Sequence, residues 1–153
     1  MAATGDTAPN ASFLKADGST GHIADYQGKA LVLYFYPKDD TPGCTKEGQE
    51  FSALAADFVG AGAFVLGASK DSVKSHAKFT AKYDLAVGLA SDETGALCEA
   101  FGVWVEKSMY GKKYMGIERS TFLIGADGRI AQVWRKVKVA GHAAAVLEAV
   151  RAL

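Results

Sequence analysis

Six consecutive apolar residues, Ala30 to Phe35, interrupt a chain whose apolar positions otherwise recur at helical or mixed spacing. A continuous run this short, bounded by Gly28-Lys29 and Pro37, predicts a strand buried on both faces. Beyond it, Phe51, Leu54, Ala55 and Phe58 fall on one helical stripe. The segment from Thr41 therefore reads as an amphipathic helix, stopped by Gly60 and Gly62. Ala63 to Ala68 is a second short apolar run. Strand, helix, strand makes a βαβ unit with parallel strands and a right-handed crossover.

Ala11 to Lys15 predicts a short strand closed by a turn at Asp17-Gly18. Asp71 or Ser72 caps a helix running to about Tyr83, with Val73 and Ala77 turned inward and Phe79 or Tyr83 beside them. Val87 to Ala90 is a further short strand. Asp92 then caps a short helix that holds Ala96, Leu97, Cys98 and Phe101 and ends at Gly102. Val103 to Glu118 is mixed, and Tyr110-Gly111-Lys112-Lys113-Tyr114 reads as an exposed loop or hairpin tip. Arg119 to Ile124 and Arg129 to Trp134, joined by Gly125-Ala126-Asp127-Gly128, predict an antiparallel pair. Gly141 to Leu153 closes the chain as a helix with Ala143, Val146, Leu147 and Val150 inside. This order predicts an α/β chain of thioredoxin-like fold, a central mixed sheet flanked by helices, in one domain over residues 1–153. Ligands of such sheets gather at the carboxyl ends of the strands.

Composition narrows the class without naming a chemistry. With 17 basic and 17 acidic residues there is no net charge to attract nucleic acid or an anionic membrane. Met1 to Ser12 shows neither the basic region nor the apolar stretch of a leader, and no run is long enough to span a bilayer, so the sequence predicts a cytoplasmic protein. The three histidines, His22, His76 and His142, are scattered in polar or helix-start contexts and read as solvated surface. With only two cysteines, Cys44 and Cys98, the chain offers no four-cysteine zinc site, and we expect neither a metal nor another cofactor.

The chemistry concentrates where the first buried strand ends. Pro37 terminates it, Thr41 suits a helix N-cap, and Pro42 suits the first helical position, where no backbone N–H is needed. Cys44 then lies in the first turn, facing unpaired N–H groups and the positive end of the helix dipole, and both favour the reactive thiolate. Its neighbours are Thr, Pro, Gly, Thr and Lys rather than the apolar company of a structural cysteine. A dithiol exchanger would need a second thiol at position 41, where Thr41 supplies a hydroxyl instead. Attack on a peroxide needs a thiolate, donors for the two oxygens and shielding from water. Backbone N–H groups of Gly43 and Cys44 can donate, Thr41 can position the peroxide, and Pro37 can cover the sulfur. As a plain cap Thr41 would stabilise the helix by about 1 kcal/mol and do no chemistry. Arg119 could add a positive charge, although on its own it reads as a solvated strand end.

The stretch Tyr36-Pro37-Lys38-Asp39-Asp40-Thr41-Pro42-Gly43-Cys44-Thr45-Lys46-Glu47 resembles the PxxxTxxC motif of peroxiredoxins, in the wording of the bacterioferritin comigratory protein, or PrxQ, branch. The resemblance continues through Phe101-Gly102-Val103-Trp104 and Gly116 to Ile124, covering nearly the whole chain. It implies reduction of hydrogen peroxide and organic hydroperoxides by a thiol, with thioredoxin, or glutaredoxin and glutathione, as reductant, and often a monomer. It also implies that Cys44 is the peroxidatic cysteine, that Thr41 and Pro37 bind and shield the peroxide, and that Arg119 stabilises the thiolate. The chain departs from the branch where a resolving cysteine is expected: position 49 is Gln49, and Asp71 to Tyr83 contains no cysteine. Cys98 is the remaining thiol, with packing as its default role. The expected scheme is a one-cysteine cycle, set against a two-cysteine cycle resolved by Cys98 and against a redox-inert binding module acting through Tyr110 and Tyr114. Gly43 and Gly48 flank Cys44, an arrangement that would let the first turn unwind.

Overall fold

The computed structural model describes residues 2–153. Met1, the first residue of the stretch read above for a leader, lies outside them. A seven-stranded sheet runs in the order β2-β1-β5-β4-β3-β8-β9. Its strands are β1 (Ser12–Leu14), β2 (Thr20–His22), β3 (Ala30–Phe35), β4 (Ala63–Ser69), β5 (Gly88–Ser91), β8 (Ser120–Ile124) and β9 (Ile130–Trp134). The chain between β5 and β8 holds a separate antiparallel ribbon, β6 (Trp104–Met109) with β7 (Lys112–Ile117). Tyr110, 98% exposed, and Gly111 form its tip, both at positive φ, as a two-residue turn of this hand requires.

β3 is buried along its whole length and lies parallel to β4 and antiparallel to β8. Its side chains alternate between two cores, as the pleat demands. Leu31, Leu33 and Phe35 join Leu97, Cys98, Phe101 and Phe122 on one face. Val32 and Tyr34 join Cys44, Phe51, Phe58, Phe79 and Val146 on the other. That second face is covered by α1 (Pro42–Ala53), α2 (Ala55–Gly60), α3 (Val73–Tyr83) and α5 (His142–Arg151), and the first by α4 (Ala96–Ala100). Fully burying a side chain such as Phe51 is worth about 1.5–3 kcal/mol, and Tyr34 stacks on it at 4.5 Å between ring centroids.

Four expectations are corrected. The helix after Thr41 is two helices: at Leu54 the N–H bonds back to Phe51 and Ser52, a tighter turn that resets the axis and leaves Leu54 only half-buried. On α3 the buried side chains are His76 and Phe79, with Ala77 exposed, because a phenyl ring and a partnered imidazole gain more from the interior than a methyl group. The histidines divide. His22 is exposed as expected, but His76 and His142 are 3% and 7% exposed; each has polar partners inside that the local sequence does not reveal. Arg119 precedes β8 instead of opening it.

Candidate active site

The C-terminal end of β3 brings together three parts of the chain. The loop after β3 leads into α1, and the antiparallel register that pairs Phe35 with Ser120 places Arg119 at the same end. Cys44, 2% exposed, occupies the first turn of α1. Arg119 donates from Nη2 to Cys44 Sγ at 3.3 Å and from Nη1 to Glu47 Oε1 at 2.6 Å. One guanidinium thus spans two side chains one helical turn apart, using the fixed fork that distinguishes arginine from lysine.

Thr41 is the N-cap residue by backbone conformation, with φ −101° and ψ 154°, yet its side chain caps no N–H. The hydroxyl turns away and donates to the Lys38 carbonyl at 2.9 Å. The first α-turn closes with Thr45 N–H on the Thr41 carbonyl. The N–H groups of Gly43 and Cys44 come before that bond and have no helical acceptor. Gly43 adopts no unusual φ; a Cβ there would stand 3.2 Å from Arg119 Nη2. At Gly48 a Cβ would make only ordinary contact with Leu85, at 3.4 Å. Pro37 follows β3 and is exposed.

Electrostatics around the thiol are set by burial. Glu47 is 1% exposed, and its Oε2 has no partner. Burial pushes its carboxyl up to about 7, against the pull of Arg119. For Arg119 burial opposes the charge, but Glu47 and Cys44 outweigh it and hold the guanidinium above its ordinary value. His142 Nε2 lies 2.7 Å from Thr121 Oγ1, and its ring stands edge-on to Phe51 and Trp134. Burial, with Arg119 adding to it, brings His142 down to about 4, so the imidazole is neutral at neutral pH. A groove of about 340 Å³ opens beside Arg119, lined by Val105, Glu106, Lys107, Glu118, Lys136 and Val137.

Of the residues singled out in the sequence, Cys44, Thr41, Gly43 and Arg119 converge. Cys98 does not: it is fully buried on α4, in the core on the other face of the sheet. The Asp92 carboxylate accepts from Leu97 and Cys98 N–H, and burial together with Asp92 pushes the Cys98 thiol far up. Glu47 was missed. Its signal was a carboxylate on the stripe of Cys44, Phe51 and Phe58, where a solvated acid has no place.

A mixed sheet with a first-turn thiol at its strand ends, and threonine where a dithiol would need a second sulfur, defines the thioredoxin-like class in its non-exchanger form. The model of the AhpC/TSA family matches residues 4–133. Peroxiredoxin Bcp of Xanthomonas campestris is 57% identical over 135 residues, 88% of this chain and 84% of the relative. Peroxiredoxin Bcp of Bacillus subtilis is 46% identical over 147 residues, 96% and 94% of the two chains. Among solved structures, a cysteine-to-serine mutant of Xylella fastidiosa PrxQ superposes with a TM-score of 0.93 at 47% identity, covering 99% of this chain and 97% of that one. The bacterioferritin comigratory protein of X. campestris, studied for its alkyl peroxide reduction activity, gives 0.90 at 50% identity, covering 99% and 97%. The chain belongs to the AhpC/TSA family, in its Bcp/PrxQ branch, and is a thiol-dependent peroxidase acting on a peroxide with a thiol as reductant.

Proposed function

We propose that the chain reduces hydrogen peroxide and organic hydroperoxides through a sulfenic acid at Cys44, in a one-cysteine cycle completed by an external thiol. The carrying observation is the 3.3 Å contact of Arg119 Nη2 with Cys44 Sγ on a first turn whose N–H groups stay free. The thiolate attacks one peroxide oxygen, forming the S–O bond as the O–O bond breaks. The other oxygen leaves as hydroxide or alkoxide and takes up a proton. Developing charge along this line is met by donors already in place, the guanidinium of Arg119 and the N–H groups of Gly43 and Cys44. Because the Thr41 hydroxyl donates to Lys38, its lone pairs are free to accept from the peroxide O–H, while Pro37 shields the sulfur.

The reductive half needs two thiols. The first displaces water from the sulfenic acid to give a mixed disulfide; the second releases Cys44 and leaves with the first as a disulfide. The burial of Cys98 across the sheet favours an outside source for both, thioredoxin or glutathione with glutaredoxin. Intact mass after one equivalent of hydrogen peroxide tests the reading. We expect one added oxygen, or a trapped sulfenic-acid adduct, that Cys44→Ser abolishes and Cys98→Ser leaves. Loss of two hydrogens within one chain would make Cys98 the resolver and refute the one-cysteine cycle.

A further inference from the structure

Beneath the loop that carries Thr41 lies a closed polar network which the chemistry above does not use. Tyr36 Oη donates to Asp39 Oδ1 at 2.6 Å. Asp39 Oδ2 accepts from Ser75 Oγ at 2.8 Å and lies 2.7 Å from His76 Nδ1. His76 Nε2 is 2.9 Å from the Ala90 carbonyl. Asp39 N–H donates to Asp71 Oδ2, which also accepts from Ser69 Oγ. Tyr36, Asp39 and His76 are all buried, at 1%, 8% and 3% exposure. A carbonyl only accepts, so Nε2 carries a proton, and a second proton lies on the line between Nδ1 and Oδ2. Burial opposes the Asp39 charge, yet the His76 and Tyr36 hydrogen bonds prevail and hold its carboxyl below the usual range.

We infer that His76 is a positioning residue of the peroxide site, acting through Asp39 on the loop that orients Thr41. The path is short: a hydrogen bond from His76 to Asp39, one step of backbone to Lys38, and a hydrogen bond from Thr41 to the Lys38 carbonyl. Tyr36 and Asp39 stand on either side of Pro37-Lys38, and both are fixed against His76, so the Lys38 carbonyl has one direction. That carbonyl is the acceptor that sets the Thr41 hydroxyl. The neighbouring Asp40, at φ 57°, is tied to Lys82 and Tyr83 of the same α3, but that tie is exposed and worth little. The buried tie carries the constraint. Asp39, Asp71 and His76 offer ligand atoms within 4.8 Å of one another. Their facing oxygens already accept from Tyr36, Ser75, Ser69 and a backbone N–H, and Nδ1 is engaged by Asp39, so the cluster is a hydrogen-bond network and not a cation site.

The inference rests on the peroxidase reading, so the wild-type rate of Cys44 oxidation is measured first; a thiol inert to hydrogen peroxide overturns that reading and this one with it. Two half-mimics of the imidazole then separate its contacts. In His76→Asn the amide can replace Nδ1 toward Asp39, and in His76→Gln it replaces Nε2 toward Ala90. We expect His76→Gln to lower the rate constant with hydrogen peroxide by about 10- to 100-fold, as misplaced reacting groups do. Alkylation of Cys44 by iodoacetamide, which needs no Thr41 geometry, should change by less than about 2-fold, and His76→Asn should keep the peroxide rate within about 3-fold. Ser75→Ala, a milder removal of one Asp39 donor, should lower the peroxide rate by about 2- to 5-fold and serves if the His76 variants do not fold. A wild-type peroxide rate in His76→Gln or Ser75→Ala, or parallel losses in peroxide and iodoacetamide rates, would overturn the proposal.

Discussion

Cys44 and Cys98 are both buried, both near the start of a helix and both packed against the same sheet, yet their surroundings are opposite in sign. On α1 the cap residue turns its hydroxyl to Lys38, and the first-turn N–H groups remain free beside a guanidinium. On α4 the Asp92 carboxylate takes up the N–H groups of Leu97 and Cys98 and leaves that sulfur beside a negative charge. Burial raises the cost of charge at either position. What separates the two is compensation: Cys98 is silenced by burial, to which Asp92 adds, whereas at Cys44 a guanidinium and free N–H groups stand against the same burial.

Exchanging features between the two environments gives the largest effects first. Cys44→Ser should lower peroxide consumption by at least about 10³-fold, while Cys98→Ser should stay within about 2-fold in a coupled peroxidase assay. Equal losses in both would erase the contrast. Arg119→Met should cost on the order of 10²–10³ in the rate constant with peroxide, measured by competition kinetics, and Arg119→Lys should restore only part because it cannot reach Sγ and Glu47 together.

Glu47 probes the same pair through stability. Its folded-state value, about 7, lies above the ordinary 4.5. Its favourable contribution is therefore complete below 4.5 and is lost as pH rises through 7. Urea titrations should show the wild type losing about 1–3 kcal/mol more than Glu47→Gln between pH 4.5 and 8; parallel curves would mean that Arg119 fully compensates the buried charge. The smallest effect concerns the quiet site. Asp92→Asn should cost about 1 kcal/mol as a weakened cap, without making Cys98 reactive to iodoacetamide in the folded protein. Rapid alkylation there would show that the carboxylate, rather than burial, silences it.

Most of this organisation was legible from local pattern. The unbroken apolar run gave β3, and Thr41-Pro42 gave the start of α1, because strand burial and helix capping leave signatures within a few residues. Local pattern offered Arg119 only as a candidate that reads as a solvated strand end: the register of β8 against β3 is what brings it to Cys44, and the resemblance supplied its role. His76 and His142 were misplaced on the surface because a buried histidine is identified by distant partners, Asp39 and Ala90 for one, Thr121 for the other. The three-residue spacing of His76 and Phe79 on α3 is the local hint of a shared buried face.

Gly43 shows how a permissive residue can be a restrictive one. Its backbone is ordinary, so its value lies in the missing side chain: any Cβ would press on the guanidinium that contacts the sulfur. Positions 43 and 119 therefore share one volume although they lie far apart in sequence. A methyl group at position 43 would oblige the guanidinium to give by a few tenths of an ångström, so the grip on the sulfur is tuned from a residue that never touches it.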